Sequence, residues 1–449
     1  MPDRYDAVIL GGGPAGEHAL GWLLDAGLER LALVERELIG GECSNWACIP
    51  TKTLLRPGEA MRQADKVAGV SKPGLDWPAI RAYRDYMTSA GDDSGRQRGY
   101  EDRGVEVIRG AGRLDGPGRV AVGERVLETE RVLVATGSEA VVPPLPGLEE
   151  AGYWTNREAT TLDEVPASAV VLGGGAVGTE IAQILGRLGA EVVLVQRGRP
   201  LPKEDERLGE IVAEQLRAEG IDVRTGGRAS AVRVEDGRRI VTLDDGTEAG
   251  GEVVIVATGR RPRTEGLGLD SIGAAADPRT GIAIDERCRV ADGVWAAGDV
   301  TGVALFTHNG KYQARIAVAD MLGRPAKADY SSVPRVVFLD PEVAAVGLTE
   351  ADARAAGIDA VSATIELPQE IARPYTFEED PKGTLSVVAD RERAVLVGAW
   401  AVAPLASEWI HQAGLAIRAG IPLEVLRDTV PQFPSFSEAY HGALRKLDA

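Results

Sequence analysis

The sequence predicts an α/β protein with two Rossmann-like domains and a separate C-terminal α+β domain, and two observations support this prediction. An apolar strand, a turn with three consecutive glycines, a helical pattern and a second apolar strand occur in this order twice, from residue 7 and from residue 169. The chain after about Tyr330 has no such turn and alternates apolar strands with helices. A repeated complete unit is far more specific than a lone glycine triplet.

The first unit begins with the apolar run Ala7–Leu10, which leads into three glycines and the sequence Pro14-Ala15-Gly16. A helical pattern follows, and a second apolar run, Leu31–Val34, ends at Glu35. Glycines permit a tight turn and the close approach of a pyrophosphate to a helix N-terminus, while a carboxylate at the Glu35 position accepts hydrogen bonds from a ribose. The unit therefore predicts a dinucleotide site.

The second unit repeats this order from Ala169–Leu172 through Gly173–Gly178 to the strand Val192–Val195. Two complete units in one chain predict two dinucleotide sites. Turn-rich seams at residues 143–147 and 259–263 suggest domain boundaries. In the last part of the chain we expect strands at residues 336–338 and 394–397 and a helix over residues 407–417.

Composition limits the class of partner. The chain has 449 residues, 44% hydrophobic and 26% charged, with a formal net charge of −18. This charge disfavours nucleic acid and anionic membranes as main partners. No run of about 18 apolar residues occurs. The first residues do not have the pattern of a signal peptide, so we expect a cytoplasmic protein that does not bind membranes or nucleic acid.

Cys43 and Cys48, separated by four residues, follow closely on the first unit, and the third cysteine, Cys288, is distant. Such spacing alone is compatible with a structural disulfide, half of a zinc site or unrelated thiols. A cysteine pair carried on a dinucleotide-binding unit, however, indicates electron transfer between a flavin and a dithiol.

With these motifs in order, the chain resembles the class I pyridine nucleotide–disulfide oxidoreductases, the group of glutathione reductase, dihydrolipoamide dehydrogenase and mercuric reductase. The resemblance covers nearly the whole chain. It rests on the two glycine units, the segment Cys43–Lys52, and the short motifs at residues 135–137, 257–260 and 297–299.

The resemblance implies FAD in the first unit, with Glu35 at the adenosine ribose and Asp299 on the flavin side. It assigns residues 1–150 and 261–330 to the FAD-binding domain, 151–260 to the NAD(P)-binding domain and 331–449 to a dimerisation domain of a homodimer. A helix beginning near residues 305–307 would direct its positive end toward reduced flavin. The FAD-binding residues expected from it are Gly11, Gly13, Pro14, Ala15, Gly16, Glu35, Arg36, Gly41, Glu42, Lys52, Ala135, Thr136, Gly137, Gly298, Asp299, Leu305, Phe306 and Thr307.

The same resemblance implies roles for the catalytic groups. Cys48 would lie against the flavin as a thiolate, Cys43 would exchange with the acceptor, and the pair would be a redox-active disulfide when oxidised. Lys52 and Glu180 fall on positions that pair beside the flavin ring. Each of these two residues could instead be a solvated helix charge.

The second unit resembles the NAD(P) site, with Gly173, Gly175, Val177, Gly178, Gln196, Arg197, Lys203, Gly259 and Arg260 completing the expected cofactor-binding residues. NADH-selective members usually carry Glu at the position of Gln196, where a carboxylate would repel a 2′-phosphate. Gln196 removes that repulsion, and Arg197, with Arg199 or Lys203, can neutralise the phosphate. We therefore expect NADP(H), with NAD(H) as the alternative.

The chain departs from the family near its C-terminus. Thiol-reducing members carry a His-Pro-x-x-x-Glu segment, contributed by the partner subunit, in which the histidine is the acid/base for the exchanging thiol. Here Phe433 stands at the histidine position and Glu438 is retained. A phenyl ring cannot transfer protons. His441, three residues after Glu438, is a candidate replacement if the stretch is helical.

The leading interpretation is therefore an enzyme of EC 1.8.1 or 1.6 type that passes electrons from NADPH through FAD and the Cys43–Cys48 pair to a small acceptor. Quinones, metal ions and other electrophiles need little protonation help, so they suit the altered site. The alternatives are dihydrolipoamide dehydrogenase or another thiol–disulfide reductase, an enzyme that cleaves C–S bonds with the dithiol as nucleophile, and a non-enzymatic FAD-binding scaffold. True mercuric reductase is disfavoured because no cysteine pair occurs at the C-terminus.

Overall fold

The structure is a computed structural model that describes residues 3–71 and 73–448. The chain folds into two units. The first contains residues up to Thr51 together with Arg81–Val141 and Gly259–Asp329, and the second contains Lys52–Ile80, Val142–Thr258 and the chain from Tyr330 onward. No helix in the described part of the chain is long and apolar enough to cross a membrane.

The first unit is built on a six-stranded sheet. Its inner strands, Ala7–Leu10 and Leu31–Glu35, are buried along their whole length, as expected for parallel strands covered on both faces. The sheet order is Arg289–Ala291, Val294–Ala296, Val132–Val134, Ala7–Leu10, Leu31–Glu35, Val105–Arg109, and all neighbours are parallel except the first pair.

Smaller sheets and helices complete the first unit. A four-stranded sheet has the order Asp3–Tyr5, Arg125–Thr129, Arg119–Val122, Gly112–Leu114, and two strand pairs join Ser138–Ala140 to Arg260–Pro262 and Ala276–Asp277 to Gly281–Ile282. The helices are Pro14–Asp25, Gly41–Asn45, Ser94–Glu101 and Thr307–Met321, with 3-10 turns at Ser89–Gly91, Leu269–Ile272 and Asp299–Thr301. The helices Cys48–Lys66 and Trp77–Met87 each have residues in both units.

The second unit contains a parallel sheet and two antiparallel ones. The parallel order is Asp222–Thr225, Glu191–Gln196, Ser168–Leu172, Val253–Val256, and a three-stranded sheet joins Ala229–Glu235, Arg238–Leu243 and Glu248–Gly251. The five-stranded C-terminal sheet has the order Arg335–Val337, Glu342–Gly347, Val395–Ala403, Thr384–Asp390, Ala360–Glu366. The helices are Leu148–Ala151, Asn156–Thr161, Ala176–Arg187, Glu206–Ala218, Glu350–Ala355, Leu367–Glu370, Ala406–Trp409, His411–Ala419, Leu423–Arg427 and Ala439–Arg445, with 3-10 turns at Arg373–Thr376 and Phe436–Glu438.

Two local expectations need adjustment. The strand expected at residues 394–397 is Val395–Ala403 and continues well past the predicted end, because Gly398 and small alanines still fit the centre of a buried sheet. The helix expected over residues 407–417 is interrupted at Ile410. Ile410 keeps a helical backbone (φ −61°, ψ −22°), so apolar periodicity gives no sign of the break.

Candidate functional site

The first glycine turn is held closed by packing and by one side chain. Gly11 has φ +109°, and a Cβ there would overlap the carbonyl oxygen of Ala135. The main-chain N–H of Gly12 donates to Glu35 Oε2 at 2.6 Å, and the N–H of Glu37 donates to Glu35 Oε1 at 2.7 Å. Glu35 therefore fixes the turn at the end of the strand, and the helix Pro14–Asp25 begins directly behind it.

A cavity of about 260 Å³ opens over this turn within the first unit. It is lined by most of the residues that the sequence predicts for FAD, namely Gly11, Gly13, Pro14, Ala15, Glu35, Arg36, Gly41, Glu42, Ala135, Thr136, Gly137, Gly298, Asp299, Phe306 and Thr307, together with Cys43. Gly16, Leu305 and Lys52 are not among its lining residues. Gly16 has a packing role instead, because a Cβ there would overlap the carbonyl oxygen of Gly11.

The two cysteines lie on successive helices, and both residues belong to the first unit. Cys43 is in the short helix Gly41–Asn45, and Cys48 is the first residue of the helix Cys48–Lys66. Both are thiols rather than a disulfide, and their side chains are hydrogen-bonded to each other. Cys48 Sγ also lies 3.5 Å from the hydroxyl of Thr307, the first residue of the helix Thr307–Met321.

This arrangement makes the two sulfurs unequal. The hydrogen bond to Cys48 and burial raise the pKa of the Cys43 thiol, because a negative charge on one sulfur disfavours a second. Cys48 stands at one helix N-terminus and faces another, and partial positive charge at such ends favours a thiolate. The geometry suits a dithiol that holds its single proton on Cys43 and can close to a disulfide.

Asp299 is anchored within the first unit by a residue that the sequence did not single out. The hydroxyl of Ser138 donates to Asp299 Oδ2 at 2.6 Å, and Arg260 Nε donates to the same hydroxyl oxygen at 2.8 Å. Burial raises the pKa of Asp299, and the bond from Ser138 acts against that rise. The relay from Arg260 through Ser138 therefore helps to keep a charged carboxylate at the cavity.

Lys52 and Glu180 form an ion pair in the second unit. Lys52 Nζ donates to Glu180 Oε2 at 2.7 Å, and Glu180 Oε1 accepts the main-chain N–H of Phe338 at 2.8 Å. The Glu180 side chain is only 5% exposed, against 34% for Lys52. The carboxylate is thus satisfied by one cation and one amide.

The second glycine turn repeats the first. Gly173 also has φ +109°, and a Cβ there would overlap the carbonyl oxygen of Ala257. The N–H of Gly174 donates to Gln196 Oε1 at 2.8 Å, as Gly12 does to Glu35. The turn leads through Gly175, the N-cap residue, into the helix Ala176–Arg187, which carries the partly exposed Val177 and the buried Gly178.

The cationic side chains near this turn differ in whether they are exposed to solvent or already hydrogen-bonded within the protein. The Arg199 guanidinium donates to the carbonyl oxygens of Leu201 at 2.9 Å and Glu204 at 2.6 Å, so it holds its own loop. Arg197 and Lys203 are exposed. The sequence suggests Arg199 or Lys203 as the second cation beside Arg197, and of these two only Lys203 is exposed to solvent.

The C-terminal segment shows how the departure from the family pattern is built. The Phe433 side chain is exposed (67%), and Glu438 Oε2 accepts the main-chain N–H of Ser435 at 2.9 Å as part of a capping box. His441 lies on the helix Ala439–Arg445, and within the described residues its buried Nε2 has no hydrogen-bond partner. Glu438 directly precedes the helix that carries His441, but its carboxylate is hydrogen-bonded to the Ser435 N–H.

Residues 5–320 match the family described as pyridine nucleotide-disulphide oxidoreductase, and residues 333–444 match the dimerisation domain of that family. The chain belongs to this family. It is therefore an enzyme of the flavoprotein disulfide oxidoreductase type, FAD-dependent and using NAD(P)H, and the non-enzymatic alternative is wrong.

Its relatives carry several activities. Dihydrolipoyl dehydrogenase 2 of Haloarcula marismortui is 34% identical, covering 98% of this chain and 95% of that protein. Mercuric reductase of Acidithiobacillus ferrooxidans is also 34% identical, covering 95% and 79%. Among solved structures, the HOCl-induced flavoprotein disulfide reductase RclA of Escherichia coli, in a Cu(II) complex, has a TM-score of 0.85 at 28% identity and covers 98% of this chain and 99% of that one. The α/β fold with a C-terminal dimerisation domain is thereby confirmed.

Sequence reasoning missed three residues of the site. Ser138 follows directly on the motif Ala135-Thr136-Gly137, so its position was a usable signal. Arg263 lines the cavity and lies 3.4 Å from Glu42, within the seam used as a boundary. Phe338 stands in the loop after the strand Arg335–Val337 and carried no signal beyond being apolar.

We expect Ser138→Ala to weaken the FAD-loaded first unit, because Asp299 Oδ2, which is enclosed at the cavity when FAD is bound, would lose its donor. An unsatisfied buried acceptor costs about 1–3 kcal/mol. Urea unfolding of the FAD-loaded protein, followed by flavin release, measures this loss. Ser71→Ala, at an exposed serine, is the control and should change the free energy of unfolding by less than about 0.5 kcal/mol. Equal effects of the two substitutions would contradict the relay.

Proposed function

We propose that the protein passes electrons from NADPH through FAD and the Cys43–Cys48 pair to a small acceptor that needs no proton-transfer group, with a metal ion or a quinone as the acceptor class. The observation that carries the proposal is at Phe433. A phenyl ring occupies the acid/base position, and Glu438 is committed to capping at 2.9 Å from the Ser435 nitrogen. Reduction of an ordinary disulfide would need an imidazole there.

The first-unit cavity fits FAD. Gly11 and Gly13 line the cavity and carry no side chain that would keep a pyrophosphate from the turn, and Glu35 stands at the end of the strand where a ribose is bound in such units. The cavity extends from Glu35 past Gly13 to Asp299 and Cys43, as an elongated dinucleotide requires. When bound, FAD would supply the two-electron carrier between the nicotinamide and the disulfide.

The chain's own groups then have distinct tasks. Cys48 carries the negative charge, held by two helix N-termini and the Thr307 hydroxyl. Cys43 keeps the proton and meets the acceptor. Lys52, one helical turn after Cys48, is held by Glu180, and the family resemblance assigns this cation to the flavin. Two electrons and one proton would open the disulfide to a Cys48 thiolate and a Cys43 thiol. As the disulfide closes again, the two electrons would leave to one quinone or to two Cu(II) ions, and the Cys43 proton would pass to the quinone or to water.

The relatives support an acceptor that binds sulfur. RclA was solved as a Cu(II) complex, and several relatives are mercuric reductases. Thiolates are soft ligands that favour copper(I) and similar ions. No group of three or more His, Cys, Asp or Glu side chains in residues 3–71 and 73–448 is placed to hold a metal ion, and the proposal treats the ion as a substrate that meets the cysteine pair. Dihydrolipoyl dehydrogenase activity is the second candidate, favoured by relatives that cover almost the whole chain.

We also propose that the functional unit is a homodimer in which the segment 431–441 of one subunit completes the site of the other. The match of residues 333–444 to the family's dimerisation domain supports it. Val430 and Phe433, exposed by 91% and 67% respectively, are the apolar surface that such an interface would cover.

The cysteine roles predict a spectral result. The two-electron-reduced protein should show a long-wavelength absorption band from a Cys48 thiolate against oxidised flavin. Cys48→Ser should abolish the band because the charged sulfur is gone. Cys43→Ser should show it without any reductant, because Cys48 can no longer close a disulfide. Absorption spectra recorded under anaerobic conditions measure both effects. Unchanged spectra in both variants would show that the cysteine pair does not exchange electrons with the flavin.

The second glycine turn predicts a preference for NADPH over NADH. Gln196 closes the turn without a negative charge, and Arg197 and Lys203 are exposed beside it. Arg197→Glu should lower the efficiency of flavin reduction by NADPH. The corresponding loss of free energy should be about 1–3 kcal/mol, the range of a charge-assisted contact. Lys203→Glu should act in the same direction but less strongly.

Stopped-flow reduction with each nucleotide gives these values. Arg228→Glu, an exposed arginine of the second unit outside the glycine turn, is the matched control and should leave the ratio of the two nucleotides unchanged. If the unmodified protein used NADH and NADPH equally well, the preference would be wrong.

A panel of acceptors tests the proposed function itself. NADPH oxidation should be fast with Cu(II) or a water-soluble quinone and slow with lipoamide or oxidised glutathione, under anaerobic conditions. Phe433→His should leave the first two rates unchanged and raise the disulfide rates, because an imidazole beside Glu438 restores an acid/base worth up to about 10²–10⁴-fold.

His441→Ala is the companion variant. Its Nε2 is buried and lacks a partner in the described residues, so we expect little change with the preferred acceptor. A loss of about 10²-fold or more, the range of general acid/base catalysis, would make His441 the acid/base and would overturn the assignment of Phe433. Fast lipoamide turnover by the unmodified protein would instead favour the dihydrolipoyl dehydrogenase candidate.

A further inference from the structure

The ion pair of Lys52 and Glu180 depends on one aromatic residue from a different part of the second unit. Phe338 follows the strand Arg335–Val337 of the C-terminal sheet. Its main-chain N–H donates to Glu180 Oε1 at 2.8 Å, and its ring lies under the Lys52 ammonium at 4.8 Å from Nζ to the ring centroid. One residue thus contacts both members of the pair, the anion through its backbone and the cation through its side chain.

The loop that contains Phe338 is held in place by hydrogen bonds of Asp340, two residues later in the chain. The Asp340 N–H donates to Gln183 Oε1 at 3.0 Å, and Gln183 is fully buried one turn after Glu180 on the same helix. Arg62, on the helix that carries Lys52, donates to the Asp340 carbonyl oxygen at 3.0 Å. The loop is therefore tied to the helix of each partner of the ion pair.

The charges around this loop are balanced, which gives it a fixed position. Arg187 donates to Asp340 Oδ2 at 3.0 Å and to Glu219 Oε2 at 2.8 Å, and its side chain is only 9% exposed. Arg62 also pairs with Glu219, at 2.5 Å. Arg187 is the most enclosed of these groups and pairs with both carboxylates, so a displacement of the loop would break ion pairs in a partly buried setting.

We propose that Phe338 is a positioning residue that fixes the Lys52 cation through its ring face. The inference rests on the proposed function, in which Lys52 acts on the flavin. Glu180 alone restrains Lys52 through one oxygen, and a lysine ammonium on a four-carbon stem can rotate about such a contact. The ring adds a second, directional attraction, because the negative face of an aromatic ring binds a cation. A leucine at position 338 would keep the backbone N–H that binds Glu180 but would have no aromatic ring to bind the Lys52 ammonium.

The test uses the FAD-loaded protein and two substitutions that keep the backbone N–H. In Phe338→Leu the equilibrium constant between Lys52 in place and Lys52 displaced should fall about 2–30-fold, the range of a cation–π contact converted to an equilibrium. The midpoint potential of the bound flavin should become more negative, and the rate of flavin reduction by NADPH should fall with the NADPH dissociation constant unchanged. Phe338→Tyr, which retains the ring face, should restore both values.

A double-mutant cycle separates this inference from the proposed function. Lys52→Met should lower the potential by itself, and Phe338→Leu should have no further effect in the Lys52→Met background, because the cation that the ring holds is absent. If Lys52→Met leaves the potential unchanged, the role of Lys52 in the proposed function is wrong. If Lys52→Met acts but Phe338→Leu does not, or acts equally with and without Lys52, only the role of Phe338 is overturned. Unfolding curves of all variants show whether Phe338→Leu simply destabilises the protein. Such a loss of stability would also appear in the Lys52→Met background.

Discussion

One hydrogen bond recurs at both glycine turns, and the nucleotide chemistry depends on it. The middle glycine of each turn donates its main-chain N–H to the side chain at the end of the next strand, Gly12 to Glu35 at 2.6 Å and Gly174 to Gln196 at 2.8 Å. The bond holds the turn in the shape that a pyrophosphate requires. Because a carboxylate and a carboxamide both present an acceptor oxygen, either can close the turn.

The two side chains differ in the remaining polar group. Glu35 has a second charged oxygen, which accepts the N–H of Glu37, whereas Gln196 has an amide NH₂ group that can only donate. The negative charge that would oppose a 2′-phosphate is therefore present at the first turn and absent at the second. Both turns are closed by the same kind of hydrogen bond, so at this position they differ mainly in charge.

The sequence was informative wherever the deciding contacts were local. The glycine turns and the strand ending at Glu35 follow from spacing within about 30 residues, whereas the start of the helix at Thr307 was expected from the family resemblance. Two contacts between distant segments had no signal in the sequence: Ser138 meets Asp299 across 161 positions, and Phe338 meets Glu180 across 158. The distant pair of Lys52 and Glu180 was expected only through the family resemblance. Arg199 illustrates another limit. An arginine in a cationic cluster looks available in the sequence, but here its donors bind the carbonyl oxygens of its own loop.

Phe433, at the position where the family resemblance places an acid/base, and the raised pKa of Cys43 both bear on how the Cys43 proton leaves. Cys48 and burial raise the pKa of the Cys43 thiol, so in the reduced pair the Cys43 proton leaves only with help. An attack on a disulfide needs a Cys43 thiolate, and without an imidazole that species is scarce. A metal ion behaves differently, because coordination itself deprotonates a thiol, and the proton goes directly to water. Under the proposed function, the acceptor that binds both sulfurs therefore supplies the driving force that a catalytic base supplies in other members. The absence of an acid/base at residue 433 then selects against disulfides without slowing the transfer of electrons to an ion.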